Sequence, residues 1–209
     1  MRICLLLCLW LSAFPSLAEP PTWRVDPVHT RIGIAVDHAG FSRSLATLSA
    51  SDGWLWWDGQ NPSTARVEIE LEPGRLDFGD SRWNQAVHGR QLLDVQRHPR
   101  ARFVSRQVLA QDDGSLRIEG ELTLRGITAP VILQARLNGQ RRHPMPPFRQ
   151  TVGFSATGQL SRAAFGATAW ADMVADSVEL RIELEASRQR RSPDTAPSGI
   201  PLPDEDTLP

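Results

Sequence analysis

A chain of 209 residues, 41% hydrophobic and 22% charged, suits one sizeable domain and is too short for two large ones. Its 23 basic residues are all arginine and are dispersed among 24 acids; the net charge of −1, with no basic stripe, excludes a nucleic-acid or anionic-membrane binder of the usual kind. Both cysteines, Cys4 and Cys8, lie in the first apolar run, so a chain cleaved after that run has no disulfide framework, thiolate metal site or cysteine nucleophile.

The chain starts with Arg2, an apolar run over residues 3–11, and Ser16-Leu17-Ala18. This order reads as a secretory signal peptide over residues 1–18, and the run is too short to span a bilayer. Cleavage would leave Glu19 as the N-terminus, a charge of −2 from 22 basic and 24 acidic residues, and a periplasmic destination. No later stretch is apolar enough for a membrane span.

From there the dominant signal is alternation. Ile32, Ile34 and Val36 share one face of a strand, with Arg31, Gly33 and Asp37 opposite. Asp52-Gly53 and Asp58-Gly59 predict turns bounding a short aromatic strand with Trp54, Trp56 and Trp57. Val67, Ile69 and Leu71 alternate with Glu68, Glu70 and Glu72. Residues 80–93 break the period and predict a helix capped by Asp80 or Ser81, after which His98-Pro99 leads to a strand containing Phe103. Asp112-Asp113-Gly114 marks a hairpin turn before Leu116, Ile118, Leu122 and Leu124, and Gly126 and Pro130 bracket the connection to Val131, Leu133, Ala135 and Leu137. A proline-rich loop at 144–147 precedes Val152, Phe154, Ala156 and Leu160, and the last strand carries Val178, Leu180, Ile182 and Leu184. Residues 188–209, with five prolines and no period, read as a disordered tail. The domain is therefore placed at 19–187. Period two over so many segments is the antiparallel signature, and many strands with one helix predict an all-β closed or nearly closed barrel with the helix covering an end.

No enzyme motif accompanies this pattern. There is no phosphate loop, no nucleophile elbow and no His-Glu-x-x-His. The serine of Gly153-Phe154-Ser155-Ala156 lies inside an alternating strand and reads as outward-facing. His29, His38, His88, His98 and His143 lack metal-ligand spacing, so neither a metal site nor catalytic residues are assigned. Alternation alone does not separate a two-sheet sandwich, a filled barrel and a barrel with a cavity.

Five segments narrow the choice. Asp26-Pro27-Val28-His29-Thr30, continuing to His38-Ala39-Gly40-Phe41, is similar to the Asp-Pro-x-His-Ser/Thr opening of the YceI-like, polyisoprenoid-binding family. The run 88–103, with His88, Asp94-Val95, His98-Pro99 and Phe103, resembles that family's exit from its helix, although Gly89 stands where leucine is usual and Leu92-Leu93 where aromatics are frequent. Residues 120–131 match its Gly-x-Leu-Thr-x-x-Gly-Val-Thr-x-Pro-Val hairpin closely. Residues 153–166 resemble its Gly-Phe-x-Ala strand and Arg-x-x-Phe-Gly turn, and 176–180 its last strand.

The resemblance implies a lipocalin-like, extended antiparallel β-barrel whose apolar tunnel holds an isoprenoid chain, of the quinone or polyprenyl class, in the periplasm. It implies no required cofactor beyond a resident isoprenoid lipid or quinone, no nucleic-acid partner and no catalysis, and leaves a homodimer open. The lining is expected from Ile32, Ile34, Val36, Val67, Ile69, Phe103, Leu122, Leu124, Leu133, Phe154, Leu180 and Ile182, with His38, Arg82 and His88 meeting a polar head group at one end. The competing expectations are a lipid-modifying enzyme and a filled barrel acting as a partner-binding or stress-protective module with exposed tryptophans at 54–57.

Overall fold

Nine strands and one helix follow from the alternation in a computed structural model that describes residues 20–190. The expected signal peptide at 1–18 and nearly all of the expected tail lie outside the described residues. The strands are β1 (Thr22–Val25), β2 (Arg31–His38), β3 (Ser42–Trp56), β4 (Arg66–Leu71), β5 (Ala101–Ala110), β6 (Leu116–Leu124), β7 (Ile127–Arg142), β8 (Gln150–Ser161) and β9 (Val174–Arg188); α1 is Ser81–His88. Arg188 thus ends a strand and does not begin the tail.

Antiparallel pairing runs β3-β2-β9-β8-β7-β6-β5-β4 and returns from β4 to β3, closing an eight-stave barrel. One stave is built in two pieces. β2 fills the gap between β3 and β9 for most of its length, and β1 completes it, with Trp23 opposite both Leu55 and Arg188. The break is the turn at 26–30, where the Asp26 carboxylate accepts the backbone N–H groups of Val28 and His29 at 2.8 and 3.3 Å. The return pairing of β4 with β3 closes the sheet on itself, and eight staves leave an interior just wide enough for side chains or one small ligand.

Three local expectations need correction. The helix ends at His88 and does not reach residue 93: Gly89 takes the C-cap, and Leu92 and Leu93 belong to the turns that follow. Its start is as expected, with the Asp80 carboxylate accepting the N–H groups of Arg82 and Trp83. Asp52-Gly53 is not a turn: it lies inside the fifteen-residue β3, just after a bulge between Ala50 and Asp52, and the same strand carries Trp54 and Trp56. Its first half escapes the apolar pattern because the inward residues are small, Ser44 and Ala46, while Leu45 points out and is 68% exposed. Finally, Pro130 lies within β7, not in a connection. The turn is Arg125-Gly126, both at positive φ, and Pro130 sits opposite Glu121 before pairing with β8 begins at Ile132, so no β8 ladder bond is missed there.

The core lines the barrel. Its larger cluster includes Trp23, Val25, Leu55, Trp57, Ile69, Phe103, Leu133 and Phe154, all buried. A second cluster, Ile32, Ala46, Leu48 and Leu76, receives Phe78, Val87 and Leu93 from the segment around α1, which covers that end of the barrel. At the opposite end Trp57 stacks edge-on against Phe154, with ring centroids 5.4 Å apart, and donates its indole N–H to Gln140 Oε1 at 3.0 Å.

Candidate functional site: an apolar cavity in the barrel

Inward residues of every main stave meet around a cavity of about 200 Å³ whose wall exposes no polar surface. Both Leu116 and Leu124 line it, eight residues apart on β6. At about 3.4 Å per residue and a barrel tilt of about 40°, the cavity extends roughly 20 Å along the axis. It is long, narrow and uniformly apolar. An apolar void of this size offers water no hydrogen-bond partners, so it stays dry or takes an apolar guest.

Glycine helps to shape it. Gly120 faces inward between Ile118 and Leu122, and a Cβ there would lie 2.4 Å from Cζ of Phe103 and 2.6 Å from the carbonyl oxygen of Val104. The Phe103 ring therefore lies across β6 in the space a side chain would take. Gly158 plays the same part beneath Leu133, with a Cβ position 2.6 Å from Leu133 Cδ2.

Eleven of the twelve expected lining residues stand in the wall: Ile32, Ile34, Val67, Ile69, Phe103, Leu122, Leu124, Leu133, Phe154, Leu180 and Ile182. Val36 does not. It is buried, but beside the bulge between Val36 and His38 near the end of β2, beyond the cavity. Nor do the three expected head-group residues reach it. His38 stacks against Trp83 with centroids 5.4 Å apart, His88 Nε2 bonds the Leu76 carbonyl at 2.9 Å, and the Arg82 side chain is 89% exposed beside Asp80. Leu76 and Leu93 line the cavity at this end, and none of the three polar side chains does. Among the described residues, the one charged residue in the wall is Arg66, at the other end, where no apolar or motif signal in the sequence marked it.

The remaining motifs are structural. In the Arg-x-x-Phe-Gly turn, the Arg162 guanidinium is buried and donates to the carbonyls of Ala167, Ala169, Val174 and Ala175, while Phe165 is 1% exposed and Gly166 has φ 72°. That clamp ties the loop between β8 and β9 to the barrel end. Ser155 faces outward, donating to Glu183 and accepting from Asn138. His29 Nδ1 lies 2.8 Å from Asp26. Hydrogen bonding and charge attraction from Asp26 raise the His29 pKa. Burial pushes Asp26 upward, but its bonds from the His29 ring and from the Val28 and His29 amides outweigh that and leave it lowered. No three His, Cys, Asp or Glu side chains converge on a metal-sized site among the described residues.

Against known proteins, the YceI-like domain model matches residues 23–186. A UPF0312 protein of Pectobacterium atrosepticum is 31% identical over 179 residues, covering 86% of this chain and 92% of that one. The crystal structure of Burkholderia cenocepacia BcnA superimposes with a TM-score of 0.68 over 78% of this chain and 99% of its own, at 19% identity. A polyisoprenoid binding domain from Saccharophagus degradans, implicated in plant cell wall breakdown, gives 0.56 over 80% and 98%, at 10% identity. At those identities the two structures speak for the fold alone. The family-model match spans nearly the whole described barrel, and with it the chain belongs to the YceI-like family.

Proposed function

We propose that this protein reversibly binds a long apolar chain, an isoprenoid of the quinone or polyprenyl class, in the barrel cavity, and carries it in the periplasm without modifying it. The observation that carries this reading is a narrow cavity inside a closed barrel, lined almost throughout by apolar side chains. Each methylene moved from water into such a wall contributes about 0.8 kcal/mol, so a chain of ten or more carbons offsets the cost of association. The polyisoprenoid binding domain that shares this fold supports the choice of ligand class. Acid–base or nucleophilic chemistry would need reactive groups facing the guest, and among the described residues the wall supplies only Arg66 and Thr30 beyond its apolar side chains.

The test is ligand-dependent thermal stability of the delipidated chain. A bound isoprenoid at about one hundred times its Kd stabilises by about 2.7 kcal/mol, which for a domain of this size raises Tm by roughly 5–10 °C. Farnesol or a short-chain ubiquinone should produce that rise, and a sugar or nucleotide none. Equal melting with and without every apolar probe would refute the proposal.

A further inference from the structure

Residues on the outer face of a barrel do not normally appear in the wall of its interior. Along β4, Val67, Ile69 and Leu71 point inward and Arg66, Glu68 and Glu70 outward; along β3, Leu55 points inward and Trp56 outward. Yet Trp56 and Arg66, cross-strand partners, both border the cavity. The reverse crossing occurs beside them. Ser105, buried and of inward parity on β5, borders a polar groove on the outer face of β4 to β7, and Ala65 and Arg66 border both spaces. The ladder explains the crossing. Pairing of β4 with β5 stops at Glu68 opposite Val104; one step on, the Val67 N–H donates to the Ser105 side chain at 2.8 Å where a backbone carbonyl would normally accept. β5 is bulged at this point, between Ser105 and Gln107. A lateral seam in the barrel wall follows.

The charges around the seam are unequal. Arg102 pairs with Glu68 and Arg106 with Glu121. The Arg66 side chain makes no ion pair and no hydrogen bond among the described residues, and its guanidinium lies 5.6 Å from the Trp56 ring centroid. Stacking holds a guanidinium in place while leaving its in-plane donors available, and a planar donor fork recognises carboxylate and phosphate.

We infer that the seam at Ala65-Arg66 is a lateral portal, that the ligand is an amphiphile with an anionic head, and that Arg66 binds this head outside the wall while the tail lies in the cavity. The hydroxyls of Thr123 and Thr128 face the same groove. This inference rests on lipid binding in the cavity and narrows the head-group class to an anion, which a polyprenyl chain can carry and a quinone does not. A carboxylate-headed and a phosphate-headed chain share the chemistry, and the experiment separates them.

The experiment compares farnesol, farnesoic acid and farnesyl phosphate as ligands of the delipidated chain, by calorimetric titration of the wild type and of Arg66→Gln and Arg66→Lys. The wild type should bind at least one anion about tenfold or more tighter than the alcohol, the range of a charge-assisted hydrogen bond. A preference confined to one anion identifies the head. In Arg66→Gln the affinity for the anions should fall to near that variant's own affinity for farnesol, and Arg66→Lys should keep part of the preference. Equal affinity of the wild type for all three probes overturns the portal assignment and leaves cavity binding standing. So does an anion preference unchanged in Arg66→Gln, or an equal loss for farnesol, which would make Arg66 merely structural. Failure of all three to bind the wild type sinks the lipid-binding reading itself.

Discussion

Replacing Ala135 by phenylalanine separates a cavity from a packed core. Ala135 is 2% exposed, lines the cavity, and sits between Leu116 on β6 and Ala156 on β8. A void of about 150 Å³ holds a benzene ring, and the cavity measures about 200 Å³, so the new ring fits and occupies most of the available space. In a filled interior the same change would overpack, costing about 1–3 kcal/mol, or roughly 2–12 °C in Tm. In the cavity the ring gains about 1.5–3 kcal/mol from burial, against the cost of fixing its rotamer. Delipidated Ala135→Phe should therefore melt within about 2 °C of the wild type or above it, and should bind farnesol at least tenfold more weakly in calorimetric titration. A variant that melts far below the wild type yet binds farnesol as tightly would refute the reasoning, because the interior would then be packed at Ala135 and the lipid would sit elsewhere.

Phe154→Asp removes the ring that stacks on Trp57 and sets a carboxylate in an apolar wall, where burial raises its pKa. Binding of farnesol should be lost at pH 8 and return in part as pH falls and the group becomes neutral; unchanged affinity at pH 8 would put the ligand away from Phe154. Gly120→Ala should cost about 1–3 kcal/mol, read as a lower urea midpoint, because the Val104 carbonyl 2.6 Å from the new Cβ is backbone and yields little. A midpoint equal to the wild type would mean that Phe103 does not lie over Gly120. The His29–Asp26 pair should contribute well under 1 kcal/mol because both groups are substantially exposed. With His29 raised, its contribution is full below about pH 6.5 and lost as pH rises through the folded value; with Asp26 lowered, its contribution is present above about pH 3.9 and lost as pH falls through the folded value. The difference in Tm between the wild type and His29→Gln should thus be largest between about pH 4 and 6.5, and a difference growing above pH 8 would contradict the assignment.

Strand identity was legible wherever branched or large apolar residues alternated with charges, as in β2, β4, β6 and β9, because period two reports one buried and one wet face. It was not legible in β1, only four residues long, or in the first half of β3, where small inward residues erase the contrast. The lining followed from parity, since a closed barrel turns every inward face toward one axis. Val36 shows the limit: its parity is inward, but its height along the axis places it beyond the cavity, and height depends on strand stagger, which no single strand reveals. The polar residues fared worst for the same reason. His38 and His88 belong to motifs, but Leu76 and Leu93 line the cavity at their end, whereas Arg66 borders the cavity through a ladder fault that only the pairing of β4, β5 and β6 creates.

The central claim is that the barrel holds a long apolar chain. Its most direct test is organic extraction of the protein, purified without detergent from the cells that make it, followed by mass spectrometry of the extract. About one isoprenoid or similar apolar-chain lipid per protein chain is expected, absent from a parallel extract of Ala135→Phe. A wild-type extract with no lipid above the buffer background, from a protein that also takes up no farnesol after purification, would contradict it.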